Sequence, residues 1–523
     1  MRHLAFGTYP PVCVRTRTGR GISGGLEIID YFLYNGIMQC NRFYKNTKHA
    51  VLPVVVCLCL CLLFSCGKQT KKPAKTQAAY PNVLLISIDT LRPDHLHCYG
   101  YEHATSPTID KLASEGVLFE NHISSTSWTL PAHAALFTSL ADSVHGCTDT
   151  DRKLHRDFNT IAEAFASAGY ETAGFFSGPY LHPAFGLGQG FDHYENCTSY
   201  AKSIDGEPAK KWAMDTGVMR QSHHDITNPI VYAAFKNRLA KKKESPFFMF
   251  VHMWDAHFDF IPPPPYDRMF DPDYDGEING VDFFLDKRIN AQMPERDLRH
   301  IIALYDGEIA WTDHHVGMMV KDLEDAGLLE KTIVVITSDH GTEFFEHGDK
   351  AHRKTLFDEV IRIPLIIRYP AGLPAGVRVS TQTRLIDTAP TLVELAGLPA
   401  MEHVMGSSLV RLTAGEKPGF DNTAISELFS VGRRMRTLRT LNWKFTDHIN
   451  LNRRYFFDLI EDPGEKHLRI NLARDPGLGL LTRYRAISKE LIIRRSRWAK
   501  STDRSTIPGD VLQQLKSLGY VDK

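Results

Sequence analysis

The sequence lacks a surplus of either charge: its 523 residues carry 61 Lys and Arg against 61 Asp and Glu, a formal net charge of zero. Proteins that hold nucleic acid through its phosphates carry a basic excess. The overall charge thus gives no case for nucleic acid, which is not expected as a partner, and an anionic partner has to be held by local groups. Cysteine is scarce in the body of the chain. Of nine, Cys13, Cys40, Cys57, Cys59, Cys61 and Cys66 fall early, leaving Cys98, Cys147 and Cys197. Three cysteines cannot build a disulfide framework; reduced thiols packed as small apolar groups are expected, with one bridge at most. Internal repeats are missing too. A hydrophobic content of 43% excludes disorder as a description of the whole chain.

The apolar run Ala50–Ser65 (AVLPVVVCLCLCLLFS) falls short of the roughly 20 residues of a spanning helix. It follows Arg42, Lys45, Lys48 and His49, and a basic segment before a short apolar one is the pattern of an export signal. Leu63-Phe64-Ser65-Cys66 resembles the bacterial lipoprotein cleavage box, in which the cysteine becomes the lipidated first residue. Export signals begin near a chain start, yet 49 residues precede Ala50, so Met38 is read as the initiator. Residues 1–66 are expected to be a signal and lipoprotein segment. Residues 67–79 (GKQTKKPAKTQAA), polar and lysine-rich, are expected to be a flexible tether. The expectation is an exported protein of the bacterial cell envelope that touches a membrane only through a lipid anchor at Cys66. A single anchoring helix is the alternative; both put the folded part outside the cytoplasm.

Asn82–Ile88 (NVLLISI), Phe247–Val251 (FFMFV) and Ile333–Ile336 (IVVI) are short continuous apolar runs, as expected of parallel strands buried on both faces. They end in Asp89, in His252-Met253-Trp254-Asp255-Ala256-His257, and in Thr337-Ser338-Asp339-His340-Gly341. Helical patterns lie between them at Ser106–Glu115, Thr160–Ala168 and Asp306–Ala326, the last two stopped by glycine. This alternation predicts an α/β fold with a large, mostly parallel sheet sandwiched by helices. Ligands of such sheets bind beyond the carboxyl ends of the strands, where the polar strand ends fall. After about residue 410 the texture becomes Arg-rich, with strand-like pieces at Asn442–Phe445 and Tyr455–Leu459 and a short closing helix at Asp510–Leu518. Residues 80–410 are thus expected to form a catalytic domain and residues 411–523 a smaller C-terminal α+β subdomain.

Within Ser127–Phe137 (SWTLPAHAALF), Thr129 sits where a helix N-cap belongs, with Pro131 in the first turn. Taken alone, the segment is explained by capping. A hydroxyl at a helix N-terminus also lies in a positive field beside unpaired amides, which favours an alkoxide and a bound anion. Asp89, Asp339 and His340 supply a plausible ligand set for one divalent cation, which activates a hydroxyl and offsets charge on substrate oxygens.

These segments resemble the sulfatase family of the alkaline phosphatase superfamily. Its opening signature is similar to Asn82–Asp94 with Cys98-Tyr99-Gly100, followed by Thr105–Ala113 and the nucleophile segment at Thr129. Phe247–Pro265 resembles the substrate-histidine strand, Asp339-His340-Gly341 the second metal motif, and His347–His352 the loop after it. Asp387–Thr391, Gly406–Leu409 and Phe457-Asp458-Leu459 before Asp462-Pro463 also match. The resemblance runs from about residue 80 to the C-terminus. It implies an alkaline phosphatase-like fold, hydrolysis of sulfate esters and one divalent metal, most often Ca2+.

The departures are informative. The family's usual nucleophile is a Cys or Ser, in a Cys/Ser-x-Pro-x-Arg signature, oxidised to formylglycine; here the corresponding residues are Thr129, Pro131 and His133. Threonine cannot give that aldehyde, because its oxidation gives a ketone. The family's paired aspartates become Asp89-Thr90 and its Asp-Asn becomes Asp339-His340, a set similar to threonine-dependent phosphoglycerol transferases of the same superfamily. His340 in place of an amide moves the expected metal towards Mg2+, Mn2+ or Zn2+. The resulting expectation is a cation held by Asp89, Thr129, Asp339 and His340, with Thr129 as nucleophile. His257 and His352 are expected to hold ester oxygens or protonate the leaving group, and His133, Lys350 and Thr90 to help bind a small-molecule, glycan or lipid ester. Two readings stay open beside the sulfate or phosphate ester hydrolase: a phosphodiesterase or phosphoglycerol-type transferase acting on envelope or polysaccharide substrates, and a non-catalytic binding protein that keeps the fold.

Overall fold

The unbroken apolar run Asn82–Ile88 forms strand β1, buried along its whole length, as a segment without polar alternation must be. The computed structural model describes residues 80–198, 226–430, 432–469, 476–498 and 504–517. The expected export segment, Met38, Cys66 and the tether lie outside the described residues. β1 pairs in parallel with β5 (Phe247–Met253) on one side and β6 (Thr332–Thr337) on the other. Ile88 stands opposite Met253 and Ser87 opposite Thr337, so the three carboxyl ends finish level. Beyond β5 come β3 (Glu171–Phe176) and β4 (His193–Asn196); beyond β6 come β9 (Arg362–Arg368), β2 (Val117–Ile123) and β10 (Val377–Val379), with β11 (Thr383–Arg384) also on β2. Among the described strands of this nine-stranded sheet, only β9 runs against its neighbours. The sheet is mostly parallel, as expected.

Alternate residues of β1 feed opposite layers, following the two-residue period of a strand. Val83 and Leu85 join a cluster with Leu130, Leu136, Ile161, Phe165 and Leu392, from the helices Thr129–Thr138, Ile161–Ser167 and Thr388–Leu395. Leu84 and Ile86 join the other cluster with Leu112, Val231, Ile301 and Tyr305, from Pro107–Ser114, Asn228–Ala240 and Glu295–Asp325. Thr160 caps its helix through a reciprocal box with Glu163. The helix expected from Asp306 begins instead at Glu295. Leu298, Ile301, Leu304 and Tyr305 carry the same apolar face upstream, and the tightest point of the helix is mid-way, where a Cβ on Gly307 would meet the Tyr266 carbonyl oxygen at 2.5 Å.

After the large sheet comes a four-stranded antiparallel sheet of β12 (Ala424–Ser430), β13 (Arg433–Arg439), β14 (Trp443–His448) and β15 (Arg453–Asp458), flanked by the helix Gly477–Trp498. The two-residue strands β7 (Glu343–Phe344) and β8 (Lys350–Ala351) form a separate hairpin. A buried ionic cluster ties β14 to the segment entering β9: Lys444, with no exposed surface, donates to Asp358 and Glu465 at 2.9 Å each, and Arg439 donates to Asp358 at 2.7 Å. Burial alone would raise the Asp358 carboxyl, but Arg439 and Lys444 hold it far below the usual range. Removing the ammonium strands buried carboxylates, so Lys444→Met is expected to cost about 3–5 kcal/mol in urea unfolding. Cys98 and Cys147 are free thiols. No helix among the described residues is long and apolar enough to cross a membrane.

Candidate active site

The level strand ends bring the expected residues together. Asp89 follows β1, Asp339 and His340 follow β6, and Thr129 opens the helix that packs over this edge. The His340 ring is the meeting point: its Nε2 lies 3.4 Å from Thr129 Oγ1, 3.4 Å from Asp339 Oδ2 and 3.7 Å from Asp89 Oδ1. Its Nδ1 is 2.9 Å from the Gly341 carbonyl, a pairing that makes Nδ1 the protonated nitrogen and turns the Nε2 lone pair towards the oxygens. The turn needs Gly341, because a Cβ there would fall 2.1 Å from the Glu359 carbonyl oxygen. Asp339 Oδ1 accepts the His340 N–H at 2.9 Å and the Thr90 N–H at 3.4 Å. Ser338 braces the same turn, donating to the His340 carbonyl at 2.7 Å and accepting from Leu91 N–H at 3.1 Å.

Thr129 is one position further into the helix than expected. Trp128, in extended conformation, is the N-cap, and Thr129 is the first helical residue. Its hydroxyl is therefore not spent on a cap, and it points to Asp89 and His340. It is 7% exposed, close to the field of the helix N-terminus.

Both carboxylates are almost fully buried, and each has an oxygen without a hydrogen-bond partner, Asp89 Oδ1 and Asp339 Oδ2. Burial pushes the Asp89 carboxyl up to about 6, although His340, Thr129 and the Thr90 N–H pull the other way. Two orphaned buried oxygens facing an imidazole nitrogen and a hydroxyl are the donor set of a divalent cation. The residues present fit such an ion. A cation has to displace the Asp89 proton in acid, so its affinity is expected to fall about tenfold between pH 8 and pH 5, measured by calorimetric titration.

His352, buried, stands next to His340, and His257, also buried, stands next to His352. The His352 ring is 4.5 Å from that of His340 and 4.9 Å from that of His257. His257 Nδ1 is 2.7 Å from the Phe258 carbonyl. Burial, reinforced by neighbouring cationic groups, lowers the His352 pKa well below its ordinary value, which favours the neutral imidazole. Its Nδ1 has no partner.

Three expected substrate ligands are committed elsewhere. Lys350 Nζ donates to the carbonyls of Phe283 and Ile289, at 2.6 Å each, and of Asp286 at 3.3 Å, which uses its three protons. Thr90 turns its hydroxyl to the Ala256 carbonyl at 2.9 Å, and its backbone adopts φ of 56°. His133 lies beneath the site with no exposed surface, Nδ1 2.9 Å from the Thr129 carbonyl and Nε2 3.1 Å from Ser87 Oγ. His252 was not singled out from the sequence, yet its Nε2 lies 3.5 Å from Asp89 Oδ2, and with His133 and Asp339 it makes a second carboxylate–imidazole cluster. The available signal was a histidine in an otherwise apolar strand, in register with Ser87.

Fold and site together are those of a hydrolase with a candidate cation site, Asp89, Asp339 and His340, at the carboxyl edge of a mostly parallel sheet. The chain belongs to the sulfatase family, whose profile matches residues 81–398; a second profile, that of the N-sulphoglucosamine sulphohydrolase C-terminal region, matches residues 346–481. Its activity class is thus that of the sulfuric ester hydrolases. An N-acetylglucosamine-6-O-sulfatase of Bacteroides thetaiotaomicron is 24% identical over 407 residues, covering 64% of this chain and 71% of the relative. Among solved structures, a protein in complex with its substrate D-glucosamine-2-N,6-O-disulfate superposes with a TM-score of 0.61, at 20% identity, over 81% of this chain and 98% of its own. The phosphonate monoester hydrolase of Agrobacterium radiobacter superposes with a TM-score of 0.62, at 23% identity, over 80% and 96%.

Proposed function

We propose that the protein hydrolyses sulfate monoesters on carbohydrate, with Thr129 as the nucleophile. The observation that carries this reading is the convergence of Thr129 Oγ1, Asp89 Oδ1 and Asp339 Oδ2 on His340 Nε2 within 3.7 Å. Asp89, Thr129, Asp339 and His340 would hold a divalent metal. Bound there, it would lower the pKa of the hydroxyl and offset charge on the ester oxygens. Two carboxylates balance one divalent charge, which suits a monoanionic group such as a sulfate monoester. Thr129 Oγ loses its proton and attacks sulfur, the bond from sulfur to the sugar oxygen breaks, and that oxygen takes up a proton. Water then attacks the sulfo-Thr129 ester, releasing sulfate, a proton and free Thr129. His352, buried with an unpaired Nδ1, and His257 beside it would hydrogen-bond the ester oxygens.

A second reading is favoured by Thr129 itself. Its single oxygen and methyl group exclude the aldehyde hydrate of most sulfatases, so the ester intermediate must be opened by water, a step equally available to a phosphorus centre. Phosphonate monoesters and phosphodiesters carry the same single charge. Turnover of matched aryl sulfate, phosphonate monoester and phosphodiester substrates, with mass spectrometry of the Thr129 peptide after brief exposure, tests both: sulfo-Thr129 supports the first, phospho-Thr129 the second, and no adduct with no turnover overturns both. We also place the enzyme in the cell envelope, anchored at Cys66, on the strength of the export-like segment before it. Cys66→Ser is expected to abolish incorporation of labelled fatty acid.

A further inference from the structure

Away from the reacting groups, the antiparallel sheet, the helix Gly477–Trp498 and the segment Ser143–Arg152 line an open cavity of about 810 Å³. Five arginines line it, Arg152, Arg433, Arg434, Arg436 and Arg495, with Asp149 as the one carboxylate and no lysine. Two of the five are accounted for locally. Arg436 is paired with buried Glu427 at 2.6 Å, and Arg152 stands 3.5 Å from Asp151. Arg433, Arg434 and Arg495 have no carboxylate partner among the described residues, and Arg434 and Arg495 are exposed. A protein with zero net charge has thus concentrated unpaired positive charge in one concave place. Guanidinium presents a flat fork of donors that matches the oxygens of sulfate or phosphate two at a time, which lysine does not.

The cavity is also joined to the catalytic edge. Arg353, next to His352, donates its backbone N–H to the Ser127 carbonyl at 3.0 Å, and its guanidinium lies 4.3 Å over the Trp128 ring. The same guanidinium donates to Ser430 Oγ at 2.9 Å, and Ser430 lines the cavity. Arg433 in turn donates to the Lys354 carbonyl. The arginine strand is held in place before any ligand arrives: Asn450 accepts from the Arg434 N–H at 3.1 Å and donates to the Gly432 carbonyl at 2.6 Å. The nucleophile segment, the histidine loop and the cavity wall are therefore successive parts of one braced surface.

We propose that this cavity binds the non-reacting sulfate groups of the substrate, so that the enzyme's substrate is an oligosaccharide bearing several sulfates rather than a small monoester. The inference rests on the carbohydrate sulfate reading above and names its substrate class. Its volume is within the range of ligand sites, and several times that of one sulfate. Attraction between guanidinium and sulfate groups near the surface weakens with salt, so the preference for the longer substrate is expected to fade as salt rises.

The test is the double variant Arg434→Ala/Arg495→Ala, neither residue being part of the catalytic machinery. For a multiply sulfated hexasaccharide, KM is expected to rise about tenfold or more with kcat unchanged, while kcat/KM for a small aryl sulfate stays within twofold. Binding of the same hexasaccharide to the Thr129→Ala protein, read by calorimetry without turnover, is expected to weaken by the same factor when the two arginines are removed. This arm separates the two readings: if sulfate esters are not turned over but the binding loss persists, the cavity assignment stands and the catalytic reading falls. Equal losses on the aryl sulfate and the hexasaccharide, no loss on either, or equally tight binding of a single-stranded DNA of matched charge would each overturn the assignment.

Discussion

Thr129→Ala lowers kcat/KM by ~10⁴-fold or more, the scale seen when a nucleophile is removed from an intact site. Thr129→Ser retains most of the activity. Alanine keeps the helix start, because Trp128 and not Thr129 occupies the N-cap, so thermal stability is expected to change little. That combination separates chemistry from folding: a structural threonine would lose stability in the alanine variant and leave turnover intact. Steady-state kinetics on an aryl sulfate and calorimetric unfolding of both variants make the comparison.

Asp89→Asn gives the second large effect, with opposite signs for activity and stability. On the proposed function, activity falls by ~10³-fold or more, since one oxygen donor of the proposed cation site loses its charge. The metal-free protein becomes more stable. Burial raises the Asp89 pKa from 3.8 to about 6, so the folded state binds this proton more tightly than the unfolded state does. The resulting penalty is absent below the unfolded value and complete above the folded one. At about 1.4 kcal/mol per unit it amounts to about 3 kcal/mol at pH 8, from a shift of 3.8 to about 6. Metal-free Asp89→Asn is therefore expected to exceed wild type in urea unfolding by that order at pH 8 and to match it near pH 4. Adding a saturating divalent cation is expected to stabilise wild type and not the variant. A variant no more stable than wild type at pH 8 would show that Asp89 is already compensated and not awaiting a cation.

The two effects depend on one arrangement, and its parts were unequally visible in the sequence. The three buried strands were legible because short, unbroken apolar runs have few other structures open to them. Asp89, Asp339 and His340 were legible as the polar residues that end them. The upstream half of the helix from Glu295 was not, because Gly307 sits in its middle, and only the approach of the Tyr266 carbonyl explains a glycine there. β9 was not legible either; its antiparallel direction is set by pairing with β6 and β2, which are distant in the chain. Lys350 was expected to help bind the substrate because it lies in His347–His352, which resembles the family's loop after the second metal motif. The fold instead delivers three carbonyls to it. His252 was passed over since the histidine of an apolar strand is usually core.

By itself, the sequence determined the sheet class, the strand ends at which polar side chains gather, and which side chains are available there for chemistry. It did so because apolar runs and the chemistry of a side chain are local properties. Tertiary structure alone decided which polar groups are left unpaired. Whether Asp89 Oδ1 has a partner, Lys350 is consumed by carbonyls, or Arg434 and Arg495 lack carboxylates depends on segments that are not neighbours in the chain. Hydrogen bonds and desolvation are settled by what lies within a few ångströms, and distance along the chain does not fix that.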